Sequence, residues 1–125
     1  MRRLLIAAGL LAMPMSGALA GPWEDGMAAY NRGDYAPAIE LFRPLARAGN
    51  AKAQAVIGVM YRKGQGVAKN SEHAFMWLSL ASAHGNARAK AELHEVSISM
   101  TAEELARARE MMQTCEASDF RNCEY

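Results

Sequence analysis

The sequence predicts an all-α protein, an α-solenoid of antiparallel helix pairs closed by a C-terminal capping helix. Three observations carry this prediction: a 36-residue echo, a Gly-Asn pair used twice as stop and cap, and apolar residues at helical rather than alternating spacing. In the echo, Ala38, Leu45, Gly49, Asn50, Ala51, Ala53 and Ile57 return as Ala74, Ala81, Gly85, Asn86, Ala87, Ala89 and Leu93; five of the seven pairs are identical and the other two stay apolar. A fixed period of this size marks units that bury their apolar faces against neighbouring units. Such stacks of helix pairs mostly make binding surfaces and seldom carry chemistry.

The first segment is an address. Met1-Arg2-Arg3 is a short basic start, residues 4–13 are an apolar run too short to span a bilayer, and Ala18-Leu19-Ala20 sets small residues at the two positions a signal peptidase reads. Residues 1–20 read as a signal peptide cleaved after Ala20, with residues 21–125 as one mature domain that is periplasmic or secreted. No Cys follows the cleavage site and no later segment is long and apolar enough to span, so the mature chain has no membrane span. Removing Arg2 and Arg3 leaves 12 basic residues against 13 acidic, a net near −1. That balance gives no footprint for nucleic acid.

Each helix then follows from its own signals. Residues 24–31 form a short helix with Met27, Ala28 and Tyr30 apolar, stopped by Gly33 in a left-handed conformation. Asp34 caps the next helix, 35–48, whose buried stripe is Ala38, Leu41, Phe42, Leu45 and Ala46. Pro37 fits its first turn, whereas Pro44 lies inside and must kink the helix or remove a hydrogen bond. Gly49 stops that helix and Asn50 caps the third, 51–63. Gly64-Gln65-Gly66-Val67 makes a longer turn, after which Asn70 or Ser71 opens a helix reaching about residue 84. Gly85-Asn86 repeats the stop and cap before a fifth helix, 87–97. Thr101 and Glu104 form a capping box opening the last helix, with Leu105, Ala108, Met112 and Cys115 on one face. Cys115 and Cys123 are the only cysteines and read as a structural disulfide pinning the tail, since C-x₇-C lacks the close spacing of a redox pair.

Ala53, Val56, Ile57, Gly58, Tyr61, Gly64, Gly66, Val67, Asn70, Ala74, Trp77, Ala81, Ser82 and Gly85, at these spacings, closely resemble the Sel1-like repeat. This is a relative of the tetratricopeptide repeat with a longer turn between its helices. Asn70 and Ser82 depart mildly from the family's usual Asp and Ala. The resemblance implies a Sel1-like unit at 51–85, preceded by a short-turn, tetratricopeptide-like unit at 23–49. The latter is shorter because Tyr30 to Tyr61 and Gly33 to Gly64 are each 31 apart. A third first-helix at 87–98 and the capping helix with its disulfide tail at 101–125 complete the chain.

Catalytic signals are thin. His73 and His84 lie eleven apart on one helix, about 16 Å by helical rise, too far to share a metal, and His94 has no ligand-spaced neighbour. Gly64-x-Gly66 follows a helix and lacks the third glycine and Lys-Ser/Thr of a phosphate loop. Ser79 and Ser82 have no nucleophile-elbow context. The chain is therefore read as a non-enzyme with no cofactor and no metal, a monomer that docks a protein or peptide partner in the bacterial cell envelope.

The resemblance places the first helix of each unit on a concave groove. Glu24, Ala28 and Asn31 then turn inward in unit one, Lys52, Ala55, Val59 and Arg62 in unit two, and Arg88, Ala91 and Glu95 in unit three. Lys52, Arg62 and Arg88, with Lys63, form a basic stripe suited to a carboxylate. Trp77 reads as a core residue more than as a stacking platform. The alternative function is a cell-wall-related enzyme or inhibitor, because some cysteine-rich secreted Sel1-like proteins resemble β-lactamases. Those carry cysteine pairs within each repeat, where this chain has Ala53 and Ala81.

Overall fold

Short polar and glycine signals divide the chain into helices of about three turns. The computed structural model describes residues 21–123; the signal peptide read at 1–20 lies outside the described residues. Within them are six helices and no strand: α1 (Pro22–Asn31), α2 (Tyr35–Arg47), α3 (Ala51–Lys63), α4 (Ser71–Ala83), α5 (Ala87–Ile98) and α6 (Ala102–Ala117). The expected boundaries hold to within about two residues.

The caps explain that agreement. Asn50, Asn70 and Asn86 each accept a hydrogen bond at Oδ1 from the backbone N–H three residues on, at 3.0, 3.0 and 2.9 Å, and Thr101 Oγ1 does the same for Glu104 at 3.1 Å. Helix stops are equally regular. Gly33, Gly49 and Gly85 adopt φ of +82°, +86° and +86°, and in each case the next residue's N–H reaches back to a carbonyl five residues before it. Asp34 is the exception. It makes no side-chain cap to α2, because its carboxylate is taken by Arg32 Nε at 3.2 Å. Pro44 leaves α2 unbroken and sits exposed, so its missing N–H faces the solvent side.

Packing follows chain order. α1 lies on α2, α2 on α3, α3 on α4, and α4 on α5. Two contacts depart from that order: α5 reaches back to α3, and α6 packs along α4 while barely touching α5. Arg107 Nη2 and Nε both reach Glu72 Oε1, at 2.8 and 2.9 Å, and Glu72's hydrogen bond holds the guanidinium above its usual range. The Cys115–Cys123 disulfide is buried, with Cα atoms 4.5 Å apart. It folds the tail so that Phe120, at φ +62°, meets His84 edge to face with ring centroids 6.0 Å apart.

Three glycines set how closely the elements approach. A Cβ on Gly58 would stand 2.6 Å from Leu78 Cγ, so α3 and α4 touch backbone to side chain. A Cβ on Gly66 would stand 2.6 Å from the Tyr35 carbonyl carbon, which seats the long turn directly on the start of α2. Tyr30 Oη donates to Gln65 Oε1 at 3.1 Å across the same junction. On α1, a Cβ added to Gly26 would stand 2.6 Å from Phe42 Cε1, so the Phe42 ring of α2 lies directly against the α1 backbone.

Substitution separates these effects. Gly33→Ala meets nothing within 4 Å and loses only the left-handed preference, costing about 1 kcal/mol. Gly66→Ala adds a clash with backbone and costs about 3 kcal/mol or more in urea-unfolding measurements. Replacing both cysteines by serine lowers stability by about 2–3 kcal/mol, with the loss of hydrogen-exchange protection concentrated in α6 and the tail.

Candidate binding groove

α3 determines what the proposed groove can be. All nine residues from Ala53 to Tyr61 are buried, because α2, α4 and α5 all pack around this helix. Ala55 and Val59, which the sequence places on the groove surface, are 3% and 1% exposed beneath Leu78, Ala81, Ala89 and Leu93. The centre of the expected groove is therefore filled core. Its open portions are the two ends of α3.

At the N-terminal end stand Lys52 and Arg88, one period apart in the first turns of α3 and α5. Both are exposed, neither has an ion-pair partner among the described residues, and neither helix has an acidic residue in its first turn. At the other end, about 15 Å away by helical rise, Arg62 is not an open cation. Its Nη2 lies 2.8 Å from Glu92 Oε2, bridging α3 to α5. Arg62 and Glu95 share a hollow of about 490 Å³ with Lys69, Ser71 and Glu104, a mixed-charge surface rather than a basic one. Lys63 is exposed beside the Gly64 stop. Asn31 is exposed on α1, whose packing partner is α2, and it joins none of the others. The basic stripe thus divides into an open pair and a neutralised end.

The remaining candidates have structural partners. Trp77 is 1% exposed and lies within the core. Its indole Nε1 is buried without an acceptor among the described residues. His73 stacks on Tyr61 with centroids 4.9 Å apart. His84 Nδ1 lies 3.1 Å from Gln54 Oε1, and Gln54, fully buried, donates to the Ala46 carbonyl at 3.1 Å. This chain of bonds joins α2, α3 and α4, and its one signal in the sequence is a polar residue inside an apolar run. Among the described residues no group of three or more His, Cys, Asp or Glu is placed to hold a metal, and no helix is long and apolar enough to cross a membrane.

Residues 51–86 match the family model of the Sel1 repeat. The match runs over α3, the glycine turn and α4 to the cap of α5, so the central helix pair is a Sel1-like repeat. No curated protein matches the chain. The Sel1 repeat is a protein-interaction scaffold and not typically an enzyme fold.

The Arg62–Glu92 pair has a measurable consequence. Both side chains are partly solvated, 31% and 19% exposed, so a double-mutant cycle with Arg62→Ala and Glu92→Ala gives a coupling of about 0.5–1 kcal/mol.

Proposed function

We propose that the chain is a binding scaffold of the bacterial cell envelope that docks a protein or peptide by a carboxylate. The observation that carries this reading is the Sel1 repeat at residues 51–86, since Sel1 repeats generally mediate protein–protein interactions. The disulfide supports an oxidising, extracytoplasmic setting, in keeping with a signal peptide at 1–20.

Lys52 and Arg88 are the residues proposed to hold the carboxylate. Cations in the first turn of a helix oppose the helix dipole, an arrangement that an anion placed against the N-terminal N–H groups relieves. α3 and α5 touch, both lack a first-turn acid, and each presents one cation, unpaired among the described residues, beside the N–H groups that its Asn cap leaves open. Arg62, Lys63 and Glu95 stand at the far ends of α3 and α5, where Arg62 is paired to Glu92, and Asn31 on α1 joins none of them, so the carboxylate is assigned to the Lys52–Arg88 end alone.

Peptides with a free C-terminal carboxylate bind the purified protein in fluorescence anisotropy, and their amidated counterparts bind about tenfold more weakly. Lys52→Glu with Arg88→Glu removes that preference while raising thermal stability by about 0.5–2 kcal/mol, because each substitution sets an acid in place of a cation at a helix N-terminus. Equal binding of free and amidated peptides sinks the carboxylate reading. Turnover of a β-lactam by the protein would replace the scaffold reading with the enzymatic one.

A further inference from the structure

Ile98 is 68% exposed at the end of α5, a position where a large aliphatic side chain gains little from the fold. It borders a cleft of about 470 Å³ that exists because α6 packs along α4 and barely touches α5. Phe75 of α4, Leu93 and Ile98 of α5 and Leu105 of α6 supply its apolar lining. Lys90, His94, Ser97 and Arg109 complete it, and no carboxylate lines it. Lys90 and Arg109 have no ion-pair partner among the described residues, whereas Arg32, Arg43, Arg62 and Arg107 are each paired with an acid.

We propose that this α5–α6 cleft is a second docking site, one that takes an apolar segment of a partner protein flanked by Asp or Glu. Charge complementarity selects the occupant. A cleft with an apolar lining and uncompensated cations favours a ligand with bulky aliphatic or aromatic side chains and carboxylates beside them. The cleft lies between α5 and α6 with Phe75 of α4 in its lining, the kind of apolar groove into which an amphipathic helix lays its apolar face. A bilayer is a poorer match, because Leu93 and Leu105 are half-buried between helices where a flat surface does not reach. The proposal rests on the scaffold reading in taking a protein partner, but it shares no residue with the carboxylate site, and Lys90, two residues after Arg88, stands about 200° round α5 from it.

The probe is a fluorescent synthetic peptide, helical, with leucines along one face and glutamates on its flanks. It binds the full mature protein, and Ile98→Asp weakens binding at least tenfold. Lys90→Glu with Arg109→Glu weakens it about tenfold, and a lysine-flanked peptide does not bind. Lys52→Glu with Arg88→Glu leaves binding unchanged, which separates this site from the carboxylate groove. Ile98, Lys90 and Arg109 are exposed, so circular dichroism matching the unaltered protein is expected for every variant. Methyl chemical-shift changes in the unaltered protein provide a readout free of substitutions and centre on Leu93, Ile98 and Leu105. The proposal is overturned by absent binding at low salt, by equal affinity for the lysine-flanked peptide, or by shifts centred elsewhere. Self-association abolished by Ile98→Asp, or binding to phosphatidylglycerol vesicles in place of the peptide, overturns it equally.

Discussion

Where α3 crosses α4, Gly58 brings the backbone of one helix against Leu78 of the other, with no room for a methyl group between them. That contact governs the stack. It places α3 deep enough for α2, α4 and α5 to close around it, and the buried run from Ala53 to Tyr61 is the result. Trp77, Met60 and Ile57 then occupy space that the small residues leave open, which is how close-packed interiors reconcile short and long side chains. Gln54 is the polar exception, and it is accommodated because both the Ala46 carbonyl and His84 reach it.

The long turn extends the same logic between units. A left-handed Gly66 pressed on the Tyr35 backbone, with Tyr30 bonded to Gln65, ties the central Sel1 repeat to the helix pair before it. At the other end the disulfide performs an analogous task. It holds Phe120 in a backbone conformation that bulky residues rarely adopt, so that the ring reaches His84 at the end of α4. The C-terminal tail is thereby connected to the network that passes through Gln54 to α2.

These constraints decide where a partner can bind. Because α3 is enclosed, the exposed cations lie at helix ends and on the final helix, not along a continuous channel. The open cations Lys52 and Arg88 lie at one end of the α3–α5 pair, and Lys90 and Arg109 lie over the α5–α6 cleft. Arg62, by contrast, is engaged by Glu92. Neither partnering pattern follows from charge spacing alone, since both Arg62 and Arg88 look equally free along the chain.

Helix number, helix order and nearly every boundary are legible in the residues. Gly-Asn pairs, the Thr101 capping box and the glycine turn act locally, through backbone conformation and hydrogen bonds spanning three to five residues. The cysteine pairing is legible for the same reason, being close in sequence and near the chain's end. Asp34 marks the limit even of local reading, because a neighbouring arginine competes for its carboxylate. What tertiary structure alone decided is solvent access. Ala55 and Val59 have a periodicity that fits a groove as well as a core, and only the arrival of α5 over them makes them core. The α5–α6 cleft is likewise absent from any one segment. It arises because α6 packs along α4 and barely touches α5, its neighbour in the chain, an arrangement set by contacts between helices that are not consecutive.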